Sequence, residues 1–125
     1  IGRAIALALA DAGAAVAVGS LPPEAGELPP STYAARPSRG EIAAAAEALR
    51  ARGVAAFAGA LDLRDDAEVG RFHAEAATAL GGPFDVLVNA AGLSAQEEMA
   101  GHTDATWRAV LDVNLTGAYR TTRRC

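Results

Sequence analysis

The sequence predicts an α/β protein built on a doubly wound parallel sheet with helices on both faces, three layers in all and incomplete. Three observations lead there. Short apolar runs of strand length recur along the chain, alanine-rich stretches of helical period separate them, and glycines mark the changes from one to the other. The 125 residues suffice for one domain with one core and not for two, so residues 1–125 are expected to form a single partial domain.

Composition narrows the function classes. The chain is 51% hydrophobic but only 5% aromatic, so alanine, valine and leucine carry its apolar content, which suits close packing of helices on a sheet. All 11 basic residues are arginine, a bias that with the alanine excess points to a GC-rich bacterial genome rather than to a mechanism. A net charge of -4 without a basic stripe argues against a nucleic-acid surface. The single cysteine, Cys125, cannot form an internal disulfide and fits a reducing compartment. No apolar stretch approaches the roughly 18 residues of a membrane span, and no signal peptide stands out, so a soluble cytoplasmic protein is expected.

Gly2 to Ala12 is rich in strong helix formers, with Ile5, Leu9 and Ala12 on one face and Gly13 as the stop. Ala14 to Val18 follows as a short apolar strand. A helix, a glycine and a strand in so few residues make the second half of a βαβ unit whose first strand is absent. Gly2 then lies at a helix amino terminus, where free N–H groups and the dipole attract phosphate; the plainer reading is a helix start and nothing more. The loop at 21–40 holds five of the six prolines, has no periodicity and is longer than most connections. Glu41 to Arg52 reads as a helix with Ile42, Ala45 and Leu49 inward, ended by Gly53. Val54 to Leu61 reads as a strand, and Asp62 stands where the chain leaves it. Asp65, Asp66 and Glu68 open a helix that runs to about Leu80, with Val69, Phe72, Ala76 and Leu80 as its buried stripe.

The organising stretch is Phe84 to Gly92. Phe84 to Val88 is a nearly unbroken apolar run, introduced by Gly82-Pro83 and stopped by Asn89, as expected of a strand buried on both faces of a parallel sheet. Asn89-Ala90-Ala91-Gly92 then offers a backbone that can lie against something flat, at the strand end where open α/β sheets bind ligands; a tight turn is the plainer alternative. Ser94 to Gly101 is a polar loop. Thr103 is a good N-cap for an amphipathic helix with Trp107, Val110, Leu111 and Leu115, and Asn114 falls near its apolar stripe, where its amide needs partners.

Three motifs in order carry a family resemblance: Ile1-Gly2-Arg3-Ala4-Ile5-Ala6, then Leu61-Asp62-Leu63 with Asn89-Ala90-Ala91-Gly92, then Asp112-Val113-Asn114-Leu115-Thr116-Gly117. Together they resemble the amino-terminal half of the classical short-chain dehydrogenases/reductases, over nearly the whole chain apart from the proline-rich loop. The resemblance implies a Rossmann-type sheet and NAD(P)-dependent hydride transfer between nicotinamide and an alcohol or carbonyl substrate. Ile1 and Gly2 match the end of the T-G-x-x-x-G-I-G turn near the cofactor pyrophosphate. Asp62 matches the aspartate that holds the adenine amino group, with Leu63 beside the ring. Asn89, Ala90, Ala91 and Gly92 match the motif that stabilises the central sheet and lines the ribose side. Asn114 matches the helix asparagine of the Asn-Ser-Tyr-Lys tetrad, which kinks its helix and positions a water in the proton relay.

The departures matter as much. The first strand, most of the glycine turn, the catalytic serine and the Tyr-x-x-x-Lys pair do not occur in these residues, and with Ile1 in place of methionine and a helical pattern still running at Cys125 a fragment is expected. Tyr119 and Arg123 have the spacing of that pair but fall on the Asn114 helix, and arginine cannot serve the same relay. Tyr33 is no candidate for the base. His73 and His102 lack further ligands at metal spacing, so no metal site is expected. The second strand ends Val18-Gly19-Ser20 without an acid to bind a ribose 2′-hydroxyl beside Ser20, and Arg36 and Arg39 follow, so the cofactor leans to NADP over NAD. A homo-oligomer, tetramer or dimer, follows from the resemblance alone. The rival classes are a non-catalytic dinucleotide-binding protein and an epimerase or dehydratase on the same fold.

Overall fold

The computed structural model describes all of residues 1–125. Helix α1, Gly2–Asp11, leads into strand β1, Val16–Ser20. Gly13 has φ 89°, a left-handed conformation that side chains resist, so the helix stops where the glycine predicts. The strand starts two residues later than Ala14, because the Ala14 N–H still donates to the Leu9 carbonyl (3.0 Å) and belongs to the helix cap.

Strand β1 pairs in parallel with β3, Ala56–Ala60, with Val16 opposite Ala56 and Ser20 opposite Ala60. Helix α2, Arg39–Arg50, packs with α1 on one face of this pair, where Ala10, Val16 and Leu49 form the buried core. Alternation along the strands turns Gly19 and Phe57 to the other face, which α3, Asp66–Leu80, covers. There Phe57 and Phe72 meet edge to face with centroids 5.4 Å apart. Three layers result, as the sequence predicts for an α/β fold.

The helix starts follow local chemistry. Helix α2 begins at Arg39 rather than Glu41 because Ser38 caps it: the Glu41 N–H donates to Ser38 Oγ (3.2 Å), and Glu41 Oε2 accepts from the Ser38 N–H (2.9 Å). Helix α3 begins where Asp65 Oδ1 accepts from the Ala67 and Glu68 N–H groups (2.8 and 3.2 Å).

One expectation is corrected here, and one left open is filled in. The run Phe84 to Val88 is not a strand buried on both faces: it joins no ladder, and Val86 is 63% exposed. A ladder needs a partner about 4.8 Å away, and neither β1 nor β3, which pair only with each other, offers it one. The loop at 21–40 is more ordered than its composition suggests. Within it β2, Thr32–Tyr33, pairs antiparallel with β4, Ser94–Ala95, and so lies across the residues that follow Gly92. Arg36 staples the loop by donating to the carbonyls of Pro22 (2.8 Å), Pro23 (3.0 Å) and Gly26. Arg39 pairs with Glu24 at 3.1 Å.

Thr103 caps α4, Asp104–Leu111, by accepting from the Thr106 N–H (3.1 Å). The helix continues as a π-helical segment, Asp112–Gly117, and then as α5, Ala118–Thr122. Its buried residues are Thr106, Ala109 and Gly117, whereas Trp107 and Leu115, predicted inward, are 56% and 66% exposed. Small residues let the helix backbone approach the body closely, which turns the large apolar ones outward. No helix is long and apolar enough to cross a membrane.

Candidate functional site

The carboxyl ends of β1 and β3 lie side by side. The Leu61 N–H donates to the Ser20 carbonyl (2.9 Å), so the pairing persists one residue beyond the ladder before Asp62 leaves the sheet. Asp62 is held by Arg64. Its Oδ1 accepts from the Arg64 backbone N–H and from Nε, both at 2.9 Å, and its Oδ2 accepts from Nη2 (2.6 Å) and Nε (3.1 Å). Burial pushes this carboxyl up, but the side-chain and backbone bonds from Arg64, with the Arg64 and Arg36 charges, outweigh it and leave the group below its ordinary value. Arg64 also reaches the proline-rich loop, where Nη1 donates to the Glu27 carbonyl (2.9 Å). The loop thus stands against the predicted adenine acceptor.

On the other side, the amino terminus of α1 meets the Asn89–Gly92 stretch. A Cβ on Gly2 would stand 3.2 Å from Cβ of Ala90, so a side chain here would press on that residue and push the first turn away by a few tenths of an ångström. The first turn carries no acidic residue and no side-chain cap, which leaves its leading N–H groups suited to an anion. Ile1 is fully exposed. Asn89 ties the stretch to α5: its Oδ1 accepts from Thr121 Oγ1 (2.7 Å), and its Nδ2 donates to Thr122 Oγ1 (3.3 Å).

Asn114 sits in the π-helical segment, a local widening that recurs at functional sites. It is not the buried residue that its place near the apolar stripe suggests. It is exposed, and its amide is satisfied by one neighbour: Oδ1 accepts from the Leu93 N–H and Nδ2 donates to the Leu93 carbonyl, both at 2.8 Å. This two-point clamp copies a strand pairing and fixes the chain just after Gly92. Beside it opens a shallow cleft of about 640 Å³, lined by Tyr33, Ala34, Gly92, Leu93, Ser94 and Asn114 among others.

The predicted residues therefore gather as two groups. Gly2, Asn89, Ala90, Ala91, Gly92 and Asn114 meet at the α1 terminus and the cleft, while Ser20, Asp62 and Leu63 meet at the strand ends. Leu63 packs on the Asn114 helix, where a Cβ on Gly117 would lie only 2.7 Å from its own Cβ. Three residues at the site escaped sequence reasoning. Tyr33 reaches the cleft only because β2 pairs with β4, Arg64 holds the Asp62 carboxylate two residues back together with the distant Glu27 carbonyl, and Arg120 acts on backbone carbonyls that no local pattern announces. Tyr119 is exposed, with the Arg123 guanidinium 5.6 Å from its ring centre, a surface pair. His73 packs edge to face on Phe84 at 5.0 Å, and no group of three His, Cys, Asp or Glu residues stands at metal-holding distance.

The family model for the short chain dehydrogenases matches residues 1–125. A Mycobacterium tuberculosis protein named as an uncharacterized NAD-dependent oxidoreductase is 34% identical over 98% of this chain and 43% of its own length. The 3-oxoacyl-[acyl-carrier-protein] reductase of Staphylococcus aureus is 34% identical over 95% of this chain and 42% of its own. A solved short chain dehydrogenase from Mycobacterium paratuberculosis, bound to NAD, superposes with a TM-score of 0.86 at 27% identity over 98% of this chain and 44% of its own. The chain thus spans less than half the length of the relatives it matches. The family model covers the whole chain, and the chain belongs to the short-chain dehydrogenase family.

Proposed function

We propose that this chain supplies the adenine- and ribose-binding part of an NAD(P)-dependent oxidoreductase that moves hydride between a nicotinamide and an alcohol or carbonyl substrate. The observation that carries the reading is the Asn114 clamp on Leu93 in a π-helical segment, at the mouth of a cleft bounded by Gly92. A bound nicotinamide dinucleotide would supply the hydride chemistry. The chain's own residues bind and orient it. Ile1 and Gly2 present backbone N–H groups to the pyrophosphate, Asn89 to Gly92 line the ribose side, and Ser20 closes the end of the second strand. Asp62 accepts from the adenine amino group, with Leu63 alongside. Asn114 has one amide hydrogen and one oxygen lone pair left after clamping Leu93, enough to hold a water in a proton relay.

Relatives named for NAD support a nicotinamide dinucleotide in general. The lean to NADP rests on the strand end at Ser20, which carries no acid. Arg36 lends it no direct help, being spent on loop carbonyls, and Arg39 reaches a 2′-phosphate only by leaving Glu24. A soluble cytoplasmic protein assembling as a homo-oligomer and acting on a small molecule completes the reading. Arg64 already occupies both carboxylate oxygens of Asp62, so adenine shares that acceptor with a guanidinium; the rival reading, a non-catalytic dinucleotide binder, differs in the chemistry that follows binding and not in this contact.

One experiment separates them. Catalytic efficiency of the whole encoded protein is measured with NADP and with NAD over a panel of alcohols and carbonyls, following nicotinamide absorbance. Turnover with an NADP preference is expected. A clear NAD preference ends the lean to NADP, and saturable binding without turnover selects the non-catalytic reading.

A further inference from the structure

The turn that leaves β3 exposes two consecutive carbonyls, those of Leu63 and Arg64, that no backbone N–H reaches. Both accept from a single donor, Nη1 of Arg120 on α5, at 2.9 and 2.7 Å. The guanidinium is mostly shielded, with the side chain 21% exposed. Its Nε also stands 3.8 Å from the Asp66 carboxylate, which it shares with its neighbours, so only the two carbonyl bonds set it apart. Arg123 reaches the Asp66 carboxylate (2.8 Å), and Arg124 reaches that carboxylate (2.9 Å) and the Asp66 carbonyl (3.1 Å), so both hold the start of α3 and leave the turn alone.

We infer that Arg120 is a positioning residue that sets the adenine end of the cofactor site relative to Asn114. The inference rests on the dinucleotide reading above. One helical stretch, 112–122, grips two loops. Near its start Asn114 fixes Leu93 beside the cleft. Near its end Arg120 fixes the turn that carries Asp62 and Leu63, and Gly117 between them lets Leu63 pack against the helix backbone. The spacing between the two loops is therefore set by a rigid helix. Arg120 is needed because a planar guanidinium can fork to two carbonyls with its orientation fixed, whereas an ammonium is a point charge without that preference.

The test uses the whole encoded protein with Arg120→Met, Arg120→Lys and, as a control, Arg123→Met. Three probes are titrated: NADP, ADP-ribose, which carries only the adenine end, and reduced nicotinamide mononucleotide, which lacks it. Losing two charge-assisted bonds that hold the turn is expected to weaken NADP and ADP-ribose about 10-fold in Arg120→Met. Arg120→Lys should lose less, the mononucleotide should bind equally to every variant, and the maximal rate at saturating NADP should stay as in wild type. Arg123→Met should bind all three probes as wild type does. Equal weakening of the mononucleotide, or a matching loss in Arg123→Met, would show a general structural role and overturn the inference. So would unchanged ADP-ribose affinity in both Arg120 variants, while leaving the dinucleotide reading intact. A wild-type protein that binds none of the probes overturns that reading and the inference with it. Should Arg120→Met fail to fold, Arg120→Lys decides by the same ratio of ADP-ribose to mononucleotide affinity.

Discussion

The pair β1 and β3 and the run Phe84 to Val88 make an instructive contrast. By sequence the run is the better strand, with phenylalanine, valines and a leucine, while β3 is Ala-Phe-Ala-Gly-Ala. Yet β1 and β3 form a five-residue parallel ladder with helices on both faces, and the run pairs with nothing and leaves Val86, Leu87 and Val88 exposed. Apolar pattern says what a segment can become. A ladder also needs an edge within reach, and burial needs something to cover each face. Strand β3 has both, since α2 and α3 close over it and its glycine and alanines let them approach. The run has neither.

The largest expected effect breaks the contrast at its weak side. The 125 residues expressed alone carry two sheets of only two strands each, an unpaired apolar run and an exposed Leu115. A domain holds only about 5 to 15 kcal/mol of stability, and with 12 of 125 residues buried little apolar burial stands against the entropy of ordering the chain. They are expected to be molten or aggregated and to bind no dinucleotide, seen as dye binding and a broad urea transition. A cooperative transition with saturable NADP binding would overturn this. The next effect sharpens the contrast inside the whole encoded protein. Leu49, 1% exposed between α1, α2 and β1, is expected to cost about 2–5 kcal/mol as Leu49→Ala. Val86→Ala, with the side chain exposed as here, is expected to cost no more than about 0.5 kcal/mol in urea unfolding. Equal costs would show that another segment covers the run.

What the sequence reveals divides along the same line. Helices were legible because their signals are local: Gly13 as a stop, acids from Asp65 to Glu68 at a helix start, Thr103 as a cap. The start of α2 was legible too, in the Ser38 to Glu41 spacing of a capping box, although the sequence reading began the helix at Glu41. The motif residues could be named through their family resemblance, but their environments could not. The exposure of Asn114 depends on which face of α4 packs, and the occupation of Asp62 depends on Arg64, whose place is fixed by a loop carbonyl 37 residues away in the chain. Arg120 lies still further, 57 residues from the Leu63 carbonyl it serves. Contacts of that span leave no periodicity, and only the fold assembles them.

The smallest effect concerns the rim of the packed region, where Asp62 could serve either the fold or the cofactor. Asp62→Ala removes one acceptor from the adenine amino group, a loss of about 0.5 to 1.5 kcal/mol if the bond is neutral and up to about 3 if charge-assisted. Weaker cofactor binding with a nearly unchanged rate at saturation is expected, and an unaltered dissociation constant would reduce Asp62 to a strand terminator. Its role in the fold shows in pH. The carboxyl lies below its ordinary value of 3.8 because the Arg64 bonds outweigh its burial. A depressed acid stabilises the fold fully above its unfolded value, and that contribution fades as pH falls through the lowered folded value. The difference in thermal midpoint between the whole encoded protein and its Asp62→Asn variant should therefore stay flat from pH 7 to about 4.5 and shrink only below the ordinary aspartate range. A difference that shrinks between about pH 7 and pH 5 would point to a group titrating there, such as a histidine, and would remove the Asp62–Arg64 pair as the latch between the turn and the proline-rich loop.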